Sequence, residues 1–179
     1  GMETDLSFNR GIELPEFASY VLLRTREGRD VLLDYYRRYV QIAHRHRLGL
    51  ILETPTWRAN TDWGAALGDD ATGLDLINRQ AVALVAQLRD ELPRTDPPLV
   101  VSGCIGPRGD GYRPGQLMSA TQAQDYHRAQ IASFATTDAD MVAALTLNYV
   151  DEAVGIARAA AEFDMPLCVS FTLETDGAL

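Results

Sequence analysis

The sequence has few cysteines, no long apolar run and little positive charge, and each shortage excludes a class of protein. Its two cysteines are not in CxxC spacing, so we expect no disulfide framework and take the cytoplasm as the compartment. No apolar run approaches the roughly 20 residues of a membrane helix, and the polar N-terminus shows no secretory signal. The net charge of −9 argues against nucleic acid, because phosphates require a concentrated basic patch.

The remaining composition is that of a single globular domain. Hydrophobic residues make up 46% of the chain and charged residues 23%, which are ordinary values for a folded protein. A chain of 179 residues is long enough for one domain with a substantial core. We therefore expect residues 1–179 to form one domain.

Short apolar runs alternate with longer amphipathic segments along the chain. The apolar runs predict buried parallel strands at residues 48–52, 99–104, 141–145 and 167–171. Apolar residues at helical spacing predict helices at residues 29–46, 73–92, 120–135 and 149–163. Ser119 and Gln122 have the spacing of a capping box at the start of the third helix.

Strands that alternate with helices imply right-handed crossovers and a parallel sheet. The predicted fold class is therefore α/β, with parallel βα repeats that form part of a (β/α)₈ (TIM) barrel. A complete barrel takes about 250 residues, and only four strands are visible. We expect the chain to be the N-terminal portion of a larger barrel.

Distinctive polar segments follow the predicted strands, where parallel α/β proteins carry their functional residues. ETPTWRAN occupies residues 53–60, GPRGDGY occupies 106–112, and SFT occupies 170–172. A further segment, TLNY at residues 146–149, follows the third clear strand. Because such loops share one end of the sheet, we predict that four of the residues in these segments lie on one rim: Asn60, Arg108, Asp110 and Thr146.

Some of these residues have two interpretations. The glycines of the 103–111 segment either bring the backbone close to a ligand or form a tight turn that requires positive φ. The segment lacks the lysine and spacing of a phosphate-binding loop. Arg108 and Asp110 either bind a ligand or pair on the surface. Trp57 and Trp63 either form an aromatic wall for a cationic ligand or pack in the core.

These segments, with Glu3-Thr4-Asp5 and LPEFA at residues 14–18, resemble the homocysteine S-methyltransferase family. The resemblance extends from Glu3 to Gly177 and implies a (β/α)₈ barrel. Members of the family transfer a methyl group from a donor such as S-methylmethionine or betaine to the sulfur of homocysteine. By this resemblance, the expected substrate-binding residues are Asp5, Thr54, Asn60, Gly103, Gly106, Arg108, Asp110, Thr146 and Thr172.

The family also uses a zinc ion, held by three cysteines, that binds the acceptor thiol. Zinc favours the thiolate, which is the nucleophilic form of the sulfur. One zinc-binding cysteine of the family follows strand six and an adjacent pair lies near strand eight. Cys104 and Cys168 match none of these positions. We therefore expect no metal and no catalytic zinc site in this chain.

Two further departures from the family pattern concern the substrate. The family opens with an Asp-Gly-Gly turn, whereas this sequence begins near the tail of that turn, so we expect strand one to be missing or vestigial. The family commonly has Glu-Thr at the end of strand four, where the glutamate receives the ammonium group of the amino acid. Here the pair is Leu145-Thr146, and leucine cannot accept hydrogen bonds. The sequence therefore leaves open whether the methyl acceptor is homocysteine or another compound.

Two hypotheses on function follow. The first is an S-methyltransferase that moves a methyl group from a sulfonium or ammonium donor to a thiol acceptor, inactive as this portion alone. The second is a non-catalytic small-molecule-binding or assembly module. In either case an unclosed sheet exposes two edges, and we expect a homodimer burying more than about 2,000 Å².

Overall fold

Four parallel strands and the helices between them form the computed structural model, which describes residues 1–92, 97–112 and 115–173. The strands are β1 (Leu50–Glu53), β2 (Leu99–Ile105), β3 (Met141–Leu147) and β4 (Leu167–Phe171). The helices are α1 (Arg26–His46), α2 (Thr61–Ala66), α3 (Ala71–Asp90), α4 (Ala120–Ala135) and α5 (Val150–Glu162). The sheet order is β1-β2-β3-β4 and each neighbouring pair is parallel. The predicted partial TIM barrel is confirmed.

The element boundaries lie within a few residues of the predicted ones. The predicted strand at 48–52 begins later, at Leu50, and the predicted strand at 141–145 continues to Leu147. Helix α1 begins at Arg26 rather than at residue 29. Helix α2 was not predicted, because its six residues are too few for an apolar periodicity to emerge.

Side-chain caps determine where several helices begin. The Thr25 hydroxyl accepts a hydrogen bond from the Gly28 backbone N–H at 3.0 Å. Asp70 caps α3 in the same way through the N–H of Gly73, at 2.8 Å. The predicted capping box of α4 is present, with Ser119 and Gln122 each bonded to the other's backbone.

Residues 1–24 form helical turns rather than a strand. Met2–Thr4 continues into a π-helical turn at Asp5–Asn9, and short 3₁₀ turns follow at Pro15–Phe17 and Ser19–Arg24. The last turn packs against α1 at Gly28, where an added Cβ would lie 2.1 Å from the Leu22 carbonyl oxygen. Only glycine allows this approach of the two backbones.

The two faces of the sheet have different environments. Gly103 faces the helices, because an added Cβ would lie 2.6 Å from the Phe134 ring on α4. Since side chains alternate along a strand, Ser102 and Cys104 face the other, concave side. Glu53 is the register partner of Ser102 and lies on the same side. We call this surface of β1, β2 and β3 the inner face.

No helix among the described residues is long and apolar enough to cross a membrane.

Candidate functional site

A cavity of about 540 Å³ opens on the inner face of the sheet. Its walls come from the N-terminal turn, from one side of α1, from the length of β1, and from the ends of β2 and β3. The lining residues that bear on its chemistry are Glu3, Tyr36, Glu53, Trp57, Cys104 and Leu145. The cavity therefore lies where parallel α/β proteins place their sites, at the carboxyl ends of the strands.

Three carboxylates line this cavity, those of Glu3, Glu53 and Asp110, and the first two differ in their partners. Glu3 accepts a hydrogen bond from the Ser19 hydroxyl at 2.6 Å. The Oε2 atom of Glu53 is buried and has no hydrogen-bond partner in the described part of the chain. Burial disfavours the charged form and raises the pKa of Glu53 to about 7. Glu53 can therefore change its charge near neutral pH.

Cys104 is the cavity's only cysteine among its described lining residues. Its thiol is buried, and desolvation, followed by the nearby negative charges of Glu53 and Glu3, raises its pKa well above the ordinary value. A thiol held in the neutral form is a poor nucleophile and a poor metal ligand. Cys168 lies on β4 and is exposed.

Thr54 and Thr56 connect β1 to β2 just above Cys104. The Thr54 hydroxyl accepts a hydrogen bond from the Cys104 N–H at 2.9 Å, and Thr56 donates to the Cys104 carbonyl at 2.7 Å. Both threonines are buried. Thr54 touches the cavity, but its hydroxyl is already engaged with the backbone of β2.

An internal cation lies between the two tryptophans at the rim of the cavity. The Arg58 guanidinium lies 3.8 Å from the ring centroid of Trp63 and 5.0 Å from that of Trp57. Its Nη2 lies 3.5 Å from the Asp110 carboxylate, and its Nη1 donates to the Glu16 carbonyl at 2.8 Å. Desolvation lowers the pKa of Arg58. Both indole rings therefore contact a cation of the protein itself, and a role for them in binding a cationic ligand stays a prediction.

The 106–112 loop lies against Trp57 rather than around open space. An added Cβ on Gly106 would lie 2.2 Å from the Trp57 carbonyl oxygen, and one on Gly111 would lie 3.1 Å from Thr146 Oγ1. None of the loop's described glycines has positive φ. Close approach of the backbone to Trp57 and Thr146 is therefore the reason for glycine here.

Thr146 has a backbone conformation that is rare for a β-branched residue, with φ of 61°. It lies where the register of β3 and β4 shifts between Ala144 and Leu147. Its hydroxyl accepts a hydrogen bond from the Trp57 indole at 3.0 Å. The strain at Thr146 thus accompanies the contact between β3 and the rim.

Arg108 pairs with Asp62, at 2.7 Å, and not with Asp110 as one interpretation of the sequence had it. Its backbone N–H donates to Glu152 Oε1 at 2.7 Å. The same oxygen lies 2.8 Å from His127 Nε2, and both of these side chains are almost completely buried. A buried histidine–carboxylate pair therefore anchors the loop to α4 and α5.

The other predicted site residues have structural partners. Asn60 caps α2 and its amide donates to the Pro107 carbonyl at 3.2 Å. Asp5 forms an ion pair with Arg10 at 2.9 Å. The Thr172 N–H donates to the Leu147 carbonyl at 2.8 Å. Asn60, Arg108, Asp110 and Thr146 all lie at the same end of the sheet, joined through the contacts given above.

Only some of the predicted residues lie on the cavity: Thr54, Asp110 and Thr146. Their role in substrate binding stays a prediction. Glu3, Tyr36 and Glu53 were not predicted as site residues. The alternation of side chains along β1, with Ile51 and Glu53 on one face, is the signal that would have identified Glu53.

The open parallel sheet, with a cavity at its strand ends, has the architecture of part of a (β/α)₈ barrel. The sequence profile of the homocysteine S-methyltransferase family matches residues 1–179. The chain belongs to this family.

Solved structures agree with this assignment. The metallated crystal structure of the homocysteine methyltransferase MmuM from Escherichia coli is similar, with a TM-score of 0.76 and 26% identity, over 99% of this chain and 65% of that one. The oxidised form of the same enzyme gives a TM-score of 0.76 and 26% identity, over 99% of this chain and 63% of that one. The apo form gives a TM-score of 0.67 and 25% identity, over 99% of this chain and 61% of that one. The chain thus spans less than two thirds of each of these enzymes. No curated protein sequence matches at a significant level.

Proposed function

We propose that this protein serves S-methyl transfer to a thiol amino acid, homocysteine or a close analogue, from a sulfonium or ammonium methyl donor. The observation that carries the proposal is the cavity at the strand ends of a chain that belongs to the homocysteine S-methyltransferase family. The part of the reaction assigned to this chain is the binding of the amino acid. MmuM is a homocysteine methyltransferase, and its likeness to this chain supports the same acceptor.

The cavity has the size and chemistry for such a substrate. Its volume of about 540 Å³ falls in the range of small-molecule sites. Apolar side chains of Ile51 and Leu145 lie beside the carboxylates of Glu3 and Glu53. An amino acid with an apolar sulfur-containing side chain presents the complementary combination of a charged and an apolar end.

Thiol activation is a separate requirement. The described residues contain no group of three or more His, Cys, Asp or Glu side chains placed to hold a metal ion. The neutral Cys104 and the exposed Cys168 lie on different strands. These residues do not fit the zinc centre that the family resemblance implies, so no step of the proposal passes through a metal. We expect the chain to bind the amino acid and not to turn it over alone.

Calorimetric titration of the purified chain tests the binding role. We expect homocysteine and S-methylmethionine to bind at least about tenfold more tightly than alanine, because the apolar end contributes about 0.8 kcal/mol per buried methylene. Equal affinity for the three compounds would contradict the proposed function and favour a general binding module. Methyl transfer above a heat-treated control, abolished by a chelator, would contradict the expected lack of turnover.

A homodimer in the cytoplasm completes the proposal. Phe171 on β4, at one edge of the described sheet, is 37% exposed, and a second copy is the simplest cover for such an edge. Both cysteines are free, which suits a reducing compartment. Light scattering at micromolar concentration should give twice the chain mass. A concentration-independent monomer would rule the dimer out.

A further inference from the structure

Glu53 ends β1 with an unsatisfied group in the cavity. Its Oε2 is buried and has no partner within the described residues, although its backbone carbonyl accepts a hydrogen bond from Tyr36 Oη at 2.7 Å. A buried carboxylate oxygen without a donor costs free energy unless a ligand supplies one. The Ser102 hydroxyl of β2 lies beside this carboxylate and lowers its pKa against the larger effect of burial. A ligand on the cavity side can supply the donor that Oε2 lacks.

The cavity lining among the described residues carries three carboxylates, from Glu3, Glu53 and Asp110, and one arginine, Arg58. Neither Glu3 nor Glu53 forms an ion pair with any described residue. Arg58 also lines the cavity, but Asp110, the Glu16 carbonyl and the two indole rings hold its guanidinium. A positively charged ligand would complete the site.

The walls favour an organic cation over a metal ion. Tyr35, Tyr36, Tyr39 and Trp57 contribute aromatic surface to the same cavity, and aromatic faces attract ammonium groups. The described residues offer no cluster of three metal-ligating side chains. Leu145 lines the cavity from β3 and presents only methyl groups, so β3 offers no acid to an ammonium group. Glu3 is already bonded to Ser19, whereas Glu53 on β1 has a buried oxygen without a partner among the described residues.

We propose that Glu53 binds the ammonium group of the amino-acid substrate. The proposal depends on the proposed function for the identity of the ligand, and it assigns the recognition of the charge to β1, two strands away from Leu145. Glu53 accepts N–H hydrogen bonds through Oε2, and the apolar side chain of the ligand lies towards Leu145. Glu53 is in this sense a specificity-determining residue and takes no part in bond making.

The pH dependence follows from the groups that face Glu53. The titratable and charged groups of the same cavity are Glu3 from the N-terminal turn, Tyr35, Tyr36 and Tyr39 from α1, Cys104 from β2, and Arg58 and Asp110 at the rim. Burial raises the pKa values of Tyr36 and Cys104 well above their ordinary values, so both stay neutral between pH 6 and pH 8. Glu53, with a pKa of about 7, ionises in this interval, and ammonium binding should strengthen as the pH rises.

Titration of the wild-type chain with methionine, the thioether analogue of homocysteine, tests the ligand side. The comparison compound is its deamino analogue, in which hydrogen replaces the ammonium group. We expect methionine to bind at least about tenfold more tightly at pH 8, with a smaller advantage at pH 6. Equal affinity for the two compounds, or no binding of methionine at either pH, overturns the proposal.

Glu53→Gln tests the protein side, since it keeps the shape of the side chain and removes the charge. It should weaken methionine binding at least about tenfold, leave the deamino analogue unchanged and abolish the pH dependence. Glu27→Gln, at an exposed residue of α1, is the control for net charge. An unchanged methionine affinity in Glu53→Gln overturns the proposal. Methionine binding through Glu53 without preference over alanine would instead refute only the proposed function.

Discussion

The rim loops and the inner face of the sheet differ in whether their charged side chains are ion-paired. At the rim, Arg58 lies between two indole rings beside Asp110, and Arg108 pairs with Asp62. On the inner face, the buried Oε2 of Glu53 has no partner among the described residues. The rim segments at residues 53–60 and 106–112 thus hold one another in place. The carboxylate available to a ligand is that of Glu53, at the end of β1. Buried atoms without a partner occur at the rim too, at Arg58 Nε and Glu152 Oε2, but both of those side chains are paired through other atoms. A buried carboxylate without any ion pair is therefore the more informative sign of a site.

The largest expected effect is on the unfolding free energy and concerns the contacts that hold the rim loop in place. Glu152→Ala removes the acceptor of the Arg108 N–H and the partner of His127. Because breaking a buried pair leaves its other members unpaired, we expect a loss of about 4 kcal/mol of unfolding free energy. Urea denaturation followed by circular dichroism measures it. Glu152→Gln, which keeps both contacts, should lose much less. Equal losses for the two variants would mean that the contacts do not matter.

A smaller effect is expected from the packing of the glycine loop on Trp57. In Gly106→Ala the new Cβ would lie 2.2 Å from the Trp57 carbonyl oxygen and 2.9 Å from its indole. We expect about 2–3 kcal/mol of destabilisation from overpacking, seen as a lower urea midpoint. Gly115→Ala is the matched control, since no atom lies within 4 Å of its added Cβ. If both variants are equally stable, the loop moves freely above Trp57.

The smallest effect has the opposite sign and concerns the inner face. The pKa of Glu53 is about 7, above its ordinary value of 4.5. The folded chain therefore holds a proton that the unfolded chain releases in this interval, so stability falls as the pH rises from 4.5 to 7. Glu53→Gln should be about 1–2 kcal/mol more stable than wild type at pH 8 and equal at pH 5. The urea midpoints of Glu53→Gln and wild type at pH 5 and pH 8 measure this difference in stability, with Glu27→Gln as control. No gain at pH 8 would show that Glu53 is solvated.

The fold was predictable because its strands are short, apolar and buried on the helix side. Val101 and Val142 point to the helices, so a run of apolar residues marks each strand. The site was less predictable, because motif residues such as Asn60 and Gly103 have the same identity whether they bind a ligand or a neighbouring element. The partners of Asn60, which are Pro107 and Tyr126, come from distant parts of the chain. The spacing of residues along the sequence does not predict such long-range contacts.

The position of Arg58 gives the protein a built-in optical reporter. Both tryptophans of the chain contact one guanidinium group, so their combined emission depends on a single cation rather than on two unrelated environments. A ligand that attracts Arg58 away from the indoles would change the fluorescence of the whole molecule. One that fills the cavity without disturbing Arg58 would leave the Trp63 component of the emission unaltered. Intrinsic fluorescence can thus separate events at the mouth of the cavity from events at its base.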